Sequence, residues 1–230
     1  AFRDVSNENR RQVLERTFFH DILNTVGGLK GWGEILARYG EGRSAAAADK
    51  IRTLAGQLTR EILAQRDLMD AEAGRLQVSF QDTEFDDIIG DALTVFEGHD
   101  VTADRDIRWT RSDGPTTVST DPGPASRVVV NMVKNALEAT PPGGAVELSL
   151  ARRSEGIRLE VWNEGRIPDP VAEQIFKRSF STKASSGRGL GTWSMKLFGE
   201  EYLGGRVDFH TGNHGTVFSF ELPVSPGEDP

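Results

Sequence analysis

The sequence predicts an α+β chain in two parts: a helical hairpin that forms a dimeric four-helix bundle, then an α/β sandwich with a mixed, mostly antiparallel sheet. Two observations carry this. Up to Ala73 large apolar residues recur at three- and four-residue steps, whereas beyond Gly74 short stretches alternate apolar and polar residues, with helical segments between them. In the first part Leu14, Phe18, Ile22, Leu29 and Leu36 mark one face of a long helix from Val13 to Tyr39. Gly40-Glu41-Gly42-Arg43 makes a short connection, and Ser44 is placed to cap a second helix running through Ala73, with Ile51, Leu54, Leu58, Ile62 and Met69 inward. Gly74 ends it. Two helices cannot cover their shared apolar seam, so a homodimer is expected.

In the second part Leu76 to Phe80 reads as a strand and Glu84 to Phe96 as a helix. Ile107 to Arg111 and Thr117 to Thr120 follow as short strands, and Pro124 to Thr140 is apolar at helical spacing. Val146 to Leu150 and Ile157 to Val161 alternate cleanly, Val217 to Leu222 less strictly, which gives a largely antiparallel sheet with helices on one face. The expected division is a hairpin at 1–75, a second domain at 76–224 and a disordered tail at 225–230, rich in Pro, Gly and acid.

Composition narrows the function. A net charge of -8 argues against nucleic acid as a partner, since such a protein must neutralise phosphates. With no cysteine there is neither a disulfide framework nor a thiolate metal site, which suits a cytoplasmic setting. No apolar run approaches the roughly 20 residues needed to cross a bilayer, so no membrane contact is expected of this segment and any sensor region is expected upstream.

His20 sits mid-helix beside Asp21. A neutral imidazole is a competent nucleophile, and an adjacent carboxylate can hold the proton of its other nitrogen. Taken alone, His20 reads first as a partly exposed surface histidine, and only the acid and amide beside it favour the nucleophile. Asn24 lies one turn on, on the same face, where its amide can orient a water. Gly27, Gly28 and Gly31 continue that strip, although each glycine in a helix interior costs about 0.5–1 kcal/mol relative to alanine. Close helix packing and a bare landing strip for a partner both account for them.

Asn131 and Asn135 share one helical face, which alone signals little beyond surface hydrogen bonding. Behind them come Val161-Trp162-Asn163-Glu164-Gly165, then Phe176 through Phe180 to Lys183, then Gly187-Arg188-Gly189-Leu190-Gly191, and later Gly204-Gly205 and Gly215-Thr216. Glycines opening a helix bare its backbone N–H groups for phosphate, with Lys183 and Arg188 as cations within reach.

In this order the segments resemble the catalytic core of the sensor histidine kinases, from about Ser6 to Pro223. The resemblance implies that His20, in the motif His20-Asp21-Ile22-Leu23-Asn24, is the phosphoacceptor and that Asn24 supports phosphatase activity. It implies that a response regulator receiver domain is the partner, docking below His20. It places ATP against Asn131, Asn135, Asn163, Gly165, Phe180, Lys183, Gly187, Arg188, Gly189, Leu190, Gly191 and Thr216, with magnesium on Asn135. Hydrolytic members of the superfamily carry a glutamate at the position of Asn131, and an amide cannot serve as a base, which favours transfer over hydrolysis. Asn163 stands where the family has an aspartate that accepts the adenine amino group, and the second glycine after it is missing. A degenerate kinase acting as a nucleotide-independent phosphotransfer or scaffold protein is therefore the alternative reading, with a serine kinase or plain ATPase of the same superfamily disfavoured by the hairpin.

Overall fold

The computed structural model describes residues 22, 25, 27–29, 31–32, 35, 44–97, 100–111, 114–178 and 190–223. By their contacts these residues form two units that meet in the chain between Leu76 and Gln77. His20, Asp21, Asn24, Phe180, Lys183, Gly187, Arg188 and Gly189 lie outside the described residues, as does the tail at 225–230.

The first unit is helical. Ile22, Thr25, Gly27–Leu29, Gly31, Trp32 and Ile35 are all in helical conformation, and α1 follows over Ser44–Glu72. Ser44 thus lies in the helix rather than capping it. Ala73 and Gly74 form the closing turn, with Gly74 at φ +66° and its N–H donating to the carbonyl of Ala71 at 3.0 Å. A glycine supplies this left-handed conformation without a Cβ clash. The inward stripe is shorter than its spacing suggests. Ile51, Leu54 and Leu58 are half-buried and Leu68 and Ala71 buried, but Ile62 and Met69, seven apart on one face, are 38% and 41% exposed. Among the described residues that face is left partly uncovered.

The glycine strip divides. A Cβ on Gly28 would lie 3.1 Å from Cδ1 of Leu54, so this glycine permits close packing of the two helices, whereas Gly27 and Gly31 have nothing within 4 Å.

The second unit is an α/β sandwich whose principal sheet has five strands: β2 (Asp106–Arg111), β4 (Ala145–Arg153), β5 (Gly156–Asn163), β6 (Arg206–Gly212) and β7 (Gly215–Pro223). Their order is β2-β4-β5-β7-β6, with only the β2–β4 pair parallel. A separate antiparallel pair joins β1 (Gln81–Glu84) to β3 (Thr117–Thr120). Strands β4, β5 and β7 alternate. Val146, Leu148, Leu150, Leu159, Val161, Phe218, Phe220 and Leu222 form the core face, while Glu147, Arg158, Glu160 and Glu221 face outward. On the core face lie α2 (Phe85–Thr94) and α3 (Pro122–Ala139), which bury Phe85, Ile88, Ile89, Val128, Val129, Met132, Val133 and Leu137. Asp121 caps α3 through Gly123 N–H at 3.0 Å, and its other oxygen accepts from Ser79 N–H at 2.7 Å.

One expectation is corrected and two elements are added. Leu76 to Phe80 alternates like a strand but forms no ladder among the described residues, because the strand paired with β3 is Gln81–Glu84, one step later. Arg206–Gly212, which the glycines around it hid, is the edge strand β6, with Val207 buried beneath it. Beyond the short α4 (Asp169–Ala172), the helix after Leu190 runs as α5 (Gly191–Lys196) and then as a π-helix over Leu197–Tyr202. The widening falls at Gly199, where a Cβ would meet Cγ2 of Val207 at 2.6 Å and the Phe220 ring at 3.1 Å, so the turn presses its backbone onto the sheet.

At the start of the second unit the Glu84 carboxylate accepts hydrogen bonds from the hydroxyls of Thr117 and Thr116, which hold its pKa below the ordinary glutamate value.

Candidate nucleotide site

The centre of the site is α3. Its apolar positions lock it onto the sheet, which turns the polar positions Asn131 and Asn135 toward the start of α5. A Cβ on Gly191 would lie 3.7 Å from Oδ1 of Asn135 and 3.8 Å from Oδ1 of Asn131, so both amide oxygens converge on a space that only the missing side chain keeps open. Two neutral oxygen donors beside glycine backbone fit a hard divalent cation and the phosphates it accompanies. Asn131 is not loose: its Nδ2 donates to Oγ of Ser194 at 3.1 Å, and that hydroxyl donates to the carbonyl of Gly191 at 2.9 Å.

One turn beyond Asn135, about 6 Å along the helix axis, the end of α3 meets a second cluster. Asn163, at the end of β5, is 2% exposed. Its Nδ2 donates to the carbonyl of Gly165 at 3.4 Å, and Oγ1 of Thr216 donates to the same carbonyl at 2.6 Å. Thr211 completes the group, sharing a hydrogen bond with Thr216 at 2.8 Å and accepting from Ile167 N–H at 2.9 Å. A Cβ on Gly165 would stand 2.8 Å from Nδ2 of Asn163 and 2.9 Å from the carbonyl of Ala139, so glycine there lets the loop close against α3. With one of its two N–H groups donated to Gly165, the Asn163 amide turns its oxygen away from that carbonyl, as an acceptor.

The segment leading toward residue 179 is tied down. The Thr192 hydroxyl donates to the carbonyl of Ile175, Phe176 packs edge-on against Phe209 and Phe218 at 5.6 and 6.3 Å, and Nζ of Lys196 lies 4.8 Å from its ring centroid. Leu190, buried at 8% exposure, is the N-cap residue of α5.

Of the expected site residues, Asn131, Asn135 and Gly191 thus come together along the C-terminal half of α3, and Asn163, Gly165 and Thr216 one turn further on, at its C-terminal end. Ser194 and Thr211 were missed. The signal for Ser194 was faint: a lone hydroxyl among Met195, Leu197 and Phe198, one turn after Gly191. Thr211 is visible only once β6 is recognised, since the β6–β7 register sets it opposite Thr216.

A layered sheet with polar groups gathered along one helix is the setting of an ATP-binding domain, and residues 120–226 match the family described as histidine kinase-, DNA gyrase B-, and HSP90-like ATPase. The chain carries a sensor histidine kinase catalytic core with this ATPase domain, and its relatives are sensor kinases. It is 32% identical over 207 residues to the sensor protein DivL of Caulobacter vibrioides, a match covering 84% of this chain. The chain spans 25% of DivL's length. The catalytic domain of histidine kinase ThkA is similar at 29% identity and a TM-score of 0.60, covering 65% of this chain and 98% of that one. ThkA in complex with the response regulator protein TrrA matches 96% of this chain and 66% of the solved one, at 22% identity and a TM-score of 0.59, a likeness of fold. Among the described residues no helix is long and apolar enough to cross a membrane.

Proposed function

We propose that this chain is an ATP-dependent protein-histidine kinase that phosphorylates its own His20 and passes the phosphoryl group to an aspartate of a response regulator receiver domain. The observation that carries the reading is the convergence of the Asn131 and Asn135 oxygens on Gly191, at the mouth of the helix that follows the glycine run. It is supported by the motif His20-Asp21-Ile22-Leu23-Asn24 and by the response regulator bound to ThkA. In the reaction a ring nitrogen of His20 attacks the γ-phosphorus, the bond to the β,γ-bridging oxygen breaks, and ADP leaves. Asp21 holds the proton of the other ring nitrogen, and the protein otherwise supplies positioning and charge stabilisation. Asn131 and Asn135 would hold the magnesium ion, which when bound offsets phosphate charge. The homodimer covers the face of Ile62 and Met69, and Asn24 orients water for a phosphatase step.

The test is incubation with γ-labelled ATP and magnesium, then mapping of the label. An acid-labile, alkali-stable label on His20, lost in His20→Gln, is expected, and undiminished labelling of His20→Gln overturns the assignment. Asn163 in place of an acid keeps the degenerate reading alive, and nucleotide titration separates the two, since a nucleotide-independent protein binds no ATP.

A further inference from the structure

The contact between Asn131 and Ser194 fixes more than a distance. A serine hydroxyl has one proton, and that of Ser194 is committed to the carbonyl of Gly191 at 2.9 Å. Toward Asn131 it can therefore only accept. The amide must present Nδ2 to it, at 3.1 Å, and its oxygen is turned the other way, toward the Gly191 space that Oδ1 of Asn135 also faces. The two ends of an asparagine amide have nearly the same shape, so nothing but hydrogen-bond polarity distinguishes the two orientations. Ser194 is 4% exposed, so water does not compete for its lone pairs. An apolar residue there would leave the amide free to turn, offering the cation side an N–H donor that repels it.

We propose that Ser194 is a positioning residue that sets the polarity of the Asn131 amide, keeping its oxygen on the cation and phosphate side of the site. The inference rests on the nucleotide-site reading above. In this role Ser194 acts through Asn131 and is not itself a ligand.

The experiment compares the wild-type chain, Ser194→Ala, Asn131→Ala and the double variant by calorimetric titration with a non-hydrolysable ATP analogue, once with magnesium and once with chelator. Loss of one hydrogen bond's worth of orientation predicts that Ser194→Ala reduces the magnesium-dependent gain in affinity roughly five-fold, while the affinity in chelator is unchanged. In the Asn131→Ala background the same change should have no further effect. Ser194→Thr, which keeps the hydroxyl, should restore the gain. In parallel, the side-chain amide protons of Asn131 are followed by NMR in nucleotide-free protein, where protection from solvent exchange in the wild type should fall in Ser194→Ala. An equal loss with and without magnesium, or a Ser194→Ala effect that persists without Asn131, overturns the proposal and leaves Ser194 a packing residue. If the wild type shows no magnesium effect, the kinase reading fails, and the amide protection still decides the role of Ser194.

Discussion

Gly165→Ala isolates what holds the Asn163 loop against α3. The added methyl would sit 2.9 Å from the carbonyl oxygen of Ala139 and 2.8 Å from Nδ2 of Asn163. The first neighbour is helix backbone and the second belongs to the candidate base-reading residue, so neither can move freely. Overpacking of this kind costs about 1–3 kcal/mol. Gly165 does not have a positive φ, so backbone strain adds nothing and the alanine recovers about 0.4–1 kcal/mol by restricting the unfolded chain. The net loss is then about 1–2 kcal/mol, or roughly 2–8 °C in Tm for a domain of this size. A second effect follows from direction. Relief by the softer neighbour pushes the Asn163 amide away from the Gly165 carbonyl, so ATP affinity should fall together with Tm. Gly90→Ala is the control, because Gly90 is exposed in α2 with nothing within 4 Å, and alanine there should raise stability by about 0.5–1 kcal/mol. Calorimetric scans and ATP titrations of both variants measure this. A Gly165→Ala protein with wild-type Tm and wild-type affinity would show that the loop closes without the contact to Ala139, and the argument would fall.

Asn163→Asp replaces a neutral acceptor by a charged one, a difference of about 0.5–2 kcal/mol toward the adenine amino group, so ATP should bind roughly 2–30-fold tighter and the preference over GTP should sharpen. The nucleotide-free protein should be less stable, since the carboxylate loses the donor to Gly165; unchanged or weaker ATP binding means that another group reads the base. Gly27→Ala and Gly31→Ala should each raise the urea midpoint of the hairpin by about 0.5–1 kcal/mol equivalent, while Gly28→Ala gains less because Cδ1 of Leu54 stands 3.1 Å from the new methyl. A loss at Gly27 would show that its face is covered in solution. The hydroxyls of Thr117 and Thr116 depress the Glu84 pKa, so the contribution of this group is fully present above the unfolded value of 4.5 and is lost as pH falls through the folded one. Thr117→Val should therefore flatten the acid limb of the stability curve and leave a smaller difference between pH 7 and pH 3.

The sequence by itself determined the elements whose burial follows one period. The alternation of β4 and β5 and the helical spacing of α3 are legible because one face of each is the more deeply covered, and period then reports burial directly, whereas β7 buries Ser219 between Phe218 and Phe220 and alternates less strictly. The same spacing set Asn131 and Asn135 on one face. Tertiary structure decided whatever depends on a partner far along the chain. Leu76–Phe80 alternates as well as a strand does, yet forms no ladder among the described residues, while the less regular Gln81–Glu84 pairs with Thr117–Thr120. β6 became visible only through its pairing with β7, and Thr211 with it. Periodicity placed Ile62 and Met69 inward, but how far a helix face is covered depends on what lies opposite, and among the described residues both are exposed. Spacing could also say that two asparagines share a face, but not which end of each amide points where. That polarity comes from Ser194, sixty-three residues beyond Asn131, because an amide's orientation is fixed only by the groups that surround it in space.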